Sequence, residues 1–239
     1  MLVPLTRQKF EELIPVIATG PQYAYYWGKF QEFLKRLLIS VLVVVVVSLL
    51  GNFVLGEQLG GITFFLGVIG GLYWLWGPIY SASLRNVSYR RYPYSGFWRG
   101  EVLDFFVTEE LIGEEQTVNN RGQLVIIENR ERRLNIEVGD ETGFTTQIQA
   151  PLKKTHKAIR PGQIAEMVVL SNQKDLGRIA KFTDVYLPDE NLWVSDYPYL
   201  QRGFFVDVSR QLQDADDVPY PEEPKKRTQR RKRSRRHPF

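Results

Sequence analysis

His156 and His237 are the only histidines in this chain, and cysteine is absent. Disulfides, thiolate metal sites and cysteine nucleophiles are excluded together, and paired-histidine ligation of zinc or haem has nothing to build on. His156 lies in Lys153-Lys-Thr-His-Lys157, where neighbouring cations depress its pKa and no triad partner is at hand. The glycine-rich phosphate cradles and the Gly-x-Ser-x-Gly nucleophile elbow are missing. The acid pairs Glu109-Glu110 and Glu114-Glu115 are adjacent in sequence, which suits solvated charge; catalytic carboxylates converge from different elements. The sequence therefore predicts no enzyme, no cofactor, no metal and no small-molecule substrate.

What remains is charge beside aromatic surface. Arg85, Tyr89, Arg90, Arg91, Tyr92, Tyr94, Phe97, Trp98 and Arg99 alternate through a strip at residues 81–99. Such a strip could stack on nucleic-acid bases, but directly after a membrane span it reads as an anchor to anionic headgroups, at ~1 kcal/mol per cation. The C-terminus is more extreme. Lys225, Lys226, Arg227, Arg230, Arg231, Lys232, Arg233, Arg235 and Arg236 supply nine cations and no acid, which leaves 22 cations against 27 acids elsewhere, a net of about −5. Beside a membrane this tail suits anionic lipid, RNA or an acidic partner surface. Residues 214–239, an acidic, proline-rich linker and the basic tail, read as disordered.

Two apolar runs must position these groups. Leu37–Leu55 and Ile62–Tyr80 carry no charge and are each 19 residues long, about the length that crosses a ~30 Å hydrocarbon layer as helix. The valine-rich block Val41–Val47 favours strand in water, but lipid makes each segment satisfy its own backbone, so helix is expected. The predicted architecture is a two-helix transmembrane hairpin over residues 37–80, turning at Gly56–Gly61. Lys29, Lys35, Arg36, Arg85, Arg90 and Arg91 flank its outer ends while the loop carries only Glu57, which places both termini on the cytoplasmic or stromal side. Gly67, Gly70 and Gly71 would let another helix approach closely, more readily the first span than a partner's. Tyr25, Tyr26, Trp27, Trp74 and Trp76 read as interface anchors, and Gly77-Pro78 as a kink.

Residues 1–36 read as an amphipathic interfacial lead-in: Thr6 is a candidate N-cap, and Phe10, Leu13, Ile14 and Ile17 follow at helical spacing. Packing of that helix on the chain's own soluble domain is the equal alternative. Over residues 100–213 the period changes to two. Short strands at Glu101–Thr108, Gln123–Glu128, Leu134–Val138, Thr145–Gln149, Ile164–Leu170 and Ile179–Leu187 predict a soluble, mainly-β domain, a small antiparallel barrel or sandwich of SH3-like or OB-like kind.

The run Leu5-Thr-Arg-Gln-Lys-Phe-Glu-Glu-Leu-Ile-Pro-Val-Ile-Ala-Thr-Gly-Pro-Gln-Tyr-Ala-Tyr-Tyr-Trp-Gly-Lys29, followed by the apolar hairpin, resembles a two-span membrane-protein family of cyanobacteria and plant plastids, some members of which are labelled phosphate ABC transporter permeases. The resemblance covers chiefly the first 100 residues. It implies a thylakoid or other cyanobacterial membrane and a role around photosynthetic complexes, and it brings no catalytic residues. Permeases of that class have more spans and an ATPase-coupling loop, neither of which is found here. The expected function is thus a membrane-anchored interaction protein, an assembly or scaffolding factor for a membrane complex. The alternatives are an accessory subunit of a transport system, or a membrane tether for RNA or ribosomes through the tail.

Overall fold

A computed structural model describes residues 1–28, 30–55, 60–118 and 124–216. Among the described residues one helix is long and apolar enough to cross a membrane, with a bent helix pair that would make a second span if the two count as one. Helix α3 (Phe30–Leu50) runs on through a π-helical turn at Gly51–Leu55, so that Phe30–Phe53 forms 24 continuous residues, 11% buried within the chain. At ~1.5 Å per residue this is about 36 Å, and Val41, Val45 and Val46 are exposed on it rather than buried in a core.

The second apolar run departs from the expected straight span. It is divided between α4 (Gly60–Gly71) and α5 (Tyr73–Arg90), bent by 67°. The break falls at Leu72 rather than at Gly77-Pro78, and Pro78 lies inside α5. Gly70 and Gly71 lower helix propensity at that point by about 1 kcal/mol each relative to alanine. The backbone groups freed there find partners: the Trp74 amide donates to Ser40 Oγ at 3.0 Å, and the Trp76 indole N–H donates to the Ile69 carbonyl at 2.9 Å. Neighbouring side chains thus meet the requirement that apolar surroundings impose on a broken helix.

Residues 2–14 pack on the chain's own sheet, the second of the two placements left open above, rather than in a membrane interface. Strand β1 (Leu2–Pro4) pairs with Gly96–Trp98, and α1 (Arg7–Leu13) buries Phe10 and Leu13, with Ile14 just beyond. These three sit with Phe97, Val168, Leu170 and Phe205 in one apolar cluster. Ile17 falls outside the helix and stays exposed. Two arginines tie α1 to α5 reciprocally. Arg7 donates to the carbonyls of Arg90 and Tyr92 at 2.9 Å each, and Arg90 to those of Glu11 and Ile14 at 3.0 and 2.8 Å. Each covers carbonyls left open at the other helix's C-terminus. Helix α2 (Gly20–Trp27) is fixed by a buried amide pair in which Gln22 and Asn86 exchange hydrogen bonds at 2.9 and 3.0 Å. Asn86 also donates to the Pro15 carbonyl and Gln22 to that of Tyr199. These contacts form a rigid neck between helices and sheet.

The rest is a mostly antiparallel sheet built from β2 (Tyr94–Val118), β3 (Leu124–Gly139), β4 (Thr145–Pro151), β5 (Ile164–Ser171), β6 (Ile179–Phe182), β7 (Val185–Leu187) and β8 (Leu192–Val194). The order is β4-β3-β2-β5-β7-β8, with β1 added to β2 and β6 to β5, and the sheet curls until β4 and β8 touch. The two longest strands exceed the expected segments, and Ile179–Leu187 divides in two around Thr183 and Asp184. Strand β5 explains why its sequence is apolar apart from the buried Glu166 and Ser171. Ala165, Met167 and Val169 face one cluster with Trp98, Ile136 and Val185, while Val168 and Leu170 face the other, under α1 and the last helix, α6 (Arg202–Asp216). A strand covered on both faces loses its alternation. Gly100 is needed where β2 passes Trp98: a Cβ there would lie 2.3 Å from the Gly139 carbonyl.

Candidate functional site

The residues assigned to the membrane interface have unlike placements. Arg36 is buried, its Nε donating to the Glu32 carbonyl at 2.9 Å and its Nη2 to that of Tyr26 at 2.5 Å. Arg90 forms an ion pair with Glu11 at 2.7 Å in addition to its two carbonyl bonds. Both guanidiniums are committed to the protein, because carbonyls left open at helix ends lie within reach; this corrects their reading as cations that face headgroups. Lys35 and Arg91 are exposed, Lys35 within 3.1 Å of Glu32. Trp27 meets Trp74 edge-on at 5.9 Å, and Trp76 stays 37% exposed. Gly70 and Gly71 lie against Val43 and Val44 of α3, whereas Gly67 has nothing within 4 Å of a built Cβ. The nine tail cations lie outside the described residues.

The structure gathers a cleft that the sequence did not indicate, although Arg85 and Tyr89 in its wall belong to the aromatic and basic strip named above. Where α5 leaves the apolar region, a cleft of about 270 Å³ opens between it, β4, the β6–β7 junction and the segment after β8. Arg85 and Tyr89 come from the helix, Gln147 and Gln149 from β4, Thr183 and Asp184 from the junction, and Ser195, Tyr197 and Tyr199 from the segment leading to α6. The rings order themselves: Tyr89 stacks on Tyr199 at 3.9 Å, Tyr197 meets Tyr25 edge-on at 5.1 Å, and the Arg85 guanidinium lies 4.6 Å over the Tyr197 ring. Lys181 sits 4.9 Å over Tyr89. Cations laid on ring faces in this way are held by the ring quadrupole.

At the floor, Asp184 has no exposed surface. Its Oδ1 accepts the Tyr199 amide at 2.8 Å, while Oδ2 has no hydrogen-bond partner among the described residues. Burial pushes this carboxyl up to about 7, against the opposing pull of nearby backbone amides and of Arg202. The Tyr197 hydroxyl is likewise buried and without a partner, and burial raises its pKa. Tyr89 is shifted in the same direction by burial and by its hydrogen bond with Tyr199. Unsatisfied buried polar groups are rare in native proteins and cost about 1–3 kcal/mol each, so two in one cleft mark it out. The only hint in the sequence was the density of Tyr197-Pro-Tyr199 near an isolated Asp184. Among the described residues no group of three His, Asp or Glu side chains could hold a metal ion.

A second feature projects away from the core. Pairing of β2 with β5 stops at Glu101, and pairing of β3 with β4 begins at Arg133. Beyond these points β2 and β3 continue alone, from Glu109↔Arg132 to Val118↔Leu124, an arm of about 34 Å at ~3.4 Å per residue with both edges open. Leu111, Ile112, Leu124 and Ile126 are 51–65% exposed along it. Ion pairs Arg130–Glu128, Arg133–Glu110 and Arg132–Glu109, at 2.7, 3.0 and 3.8 Å, line its lower part.

A protein-family model described as a family of unknown function, DUF8619, matches residues 3–216. The chain belongs to that family. The matched span begins in β1 and ends with α6, so it takes in apolar helices, neck and sheet together. No curated protein and no solved structure matches the chain.

Proposed function

We propose that the chain is a membrane-anchored, non-enzymatic interaction protein that holds a docking arm at a bilayer surface, in the manner of an assembly or scaffolding factor for a membrane complex. Helix α3 acts as the anchor. The bent α4–α5 pair returns the chain through the same layer, so that both termini and the sheet lie on the cytoplasmic side. The resemblance noted above makes a photosynthetic membrane the first one to test.

The arm carries this reading. An isolated two-stranded hairpin is marginal in water, yet this one extends about 34 Å with large apolar side chains uncovered on it. Exposed apolar surface on a soluble element marks contact with another molecule, and open strand edges offer backbone groups for β-augmentation. The test places a photo-crosslinking residue at Leu111 or Ile126 in native membranes, with exposed Lys174 as control. A discrete adduct from the arm positions alone is expected; recovery of the free chain from all three positions overturns the reading.

A further inference from the structure

The neck cleft has a composition that selects a ligand. Gln147 and Gln149 each spend one amide N–H on Asn135 and Glu110, which leaves one N–H and the carbonyl oxygen of each for other partners. With the Asp184 and Asp196 carboxyls, the cleft therefore offers acceptors and donors side by side, joined by the hydroxyls of Tyr197 and Ser195, which can act either way. A phosphate or carboxylate brings negative charge and only acceptors, and would meet the Asp184 and Asp196 carboxyls. Arg85 cannot compensate readily, because its guanidinium already lies over Tyr197 and Tyr25. An ammonium group brings donors but would meet Arg85 and Lys181, both cationic and both stationed on the cleft's tyrosines. Hydroxyl groups bring donors without charge.

We propose that this cleft binds a neutral, hydroxyl-rich ligand about the size of one sugar ring, with the buried Asp184 carboxyl and Tyr197 hydroxyl as its deepest contacts. The volume of about 270 Å³ lies at the small end for ligand pockets. The walls of Tyr89, Tyr199 and Phe182 give the C–H face of such a ring apolar surface, while its hydroxyls reach the polar groups. Two sources fit the same chemistry: a free sugar or polyol, and the sugar headgroup of a lipid. The second rests on the membrane-anchor reading. Arg85 lies five residues past Tyr80, roughly 7.5 Å along the helix, which is headgroup depth if the apolar run ends at the bilayer surface.

The test uses the full chain in phosphatidylcholine nanodiscs and ligand-observed NMR with hexosylglycerol, glycerol phosphate, phosphocholine and ethanolamine as probes. Hexosylglycerol should bind, and Tyr197→Phe or Asp184→Asn should weaken it by roughly tenfold, the size expected for one buried hydrogen bond. Ser195→Ala, a change at a partly exposed residue, gives a smaller loss in a variant whose fold is not at risk. Repeating the titration in discs that contain hexosyl diacylglycerol separates the sources: competition assigns a lipid headgroup, and unchanged binding assigns a soluble sugar. Preference for a phosphate or ammonium probe, or hexosylglycerol binding that none of the three variants alters, overturns the proposal. Should the chain prove extractable by carbonate yet still bind the sugar, the anchor fails and the cleft stands.

Discussion

Asp184 gives the clearest expectation for a single residue. Its folded pKa of about 7 lies above the ordinary 3.8, so between those values the folded chain holds a proton that the unfolded chain releases. Stability therefore falls as pH rises from about 4 to 7 and is level on either side, by an amount on the order of a few kcal/mol. Asp184→Asn keeps the acceptor for the Tyr199 amide and should abolish that slope, so that its melting temperature exceeds the parent's at pH 8 but not at pH 4. Calorimetry of the two proteins across this range decides it. The juxtamembrane arginines give a paired expectation. Arg90→Ala removes an ion pair and two bonds to helix-end carbonyls and should cost ~2–3 kcal/mol of folding stability. Arg91→Ala, at an exposed site, should stay within ~0.5 kcal/mol and instead weaken retention on anionic vesicles. Equal stability of the two variants would mean that the Arg7–Arg90 clamp is not structural. Sequence showed both arginines as equivalent cations. Their roles separate only because α1 brings its open C-terminal carbonyls to one of them, and a contact across 79 residues leaves no local trace.

The helical elements were legible wherever lipid or a cap dictates the answer. The apolar length of α3 follows from charge-free residues alone, and Thr6 at the start of α1 accepts the Lys9 amide as an N-cap should. The broken second run was not legible, because Ser40 and Trp76, which satisfy its freed groups, lie one on a different helix and one beyond the break. Ser40→Ala should leave the Trp74 amide unmatched in apolar surroundings, a loss of ~1–3 kcal/mol, readable as a lower melting temperature in detergent. The glycines separate similarly. Gly70→Ala drives a Cβ into Val43, while Gly67→Ala meets open space; the first should destabilise by ~1–3 kcal/mol and the second should be neutral or slightly favourable through helix propensity. Matching effects at both positions would refute the packing of α4 on α3. In the sheet, β5 and the alternating Leu134–Val138 were readable from period. The free arm was not, since nothing in Glu109–Val118 announces that its neighbours stop at Glu101 and Arg133.

At the scale of the whole molecule, the proposed topology makes a fusion experiment informative: a reporter at residue 58 and one at the C-terminus should lie on opposite sides of the membrane, and the same side for both excludes a hairpin crossing. The neck also imposes an order on biosynthesis. Leu13 accepts from the Gln201 amide, Gln22 donates to the Tyr199 carbonyl, and the terminal amine of Met1 reaches the Arg99 carbonyl. Leu13 and Gln22 thus meet these two partners only after the ribosome has passed position 200, roughly 10–40 s later at ~5–20 residues per second, whereas the partner of Met1 is made sooner. Phe10, Leu13 and Ile14, whose cluster is closed by Phe205, stay partly uncovered through that interval, as clients for whatever chaperone attends the growing chain.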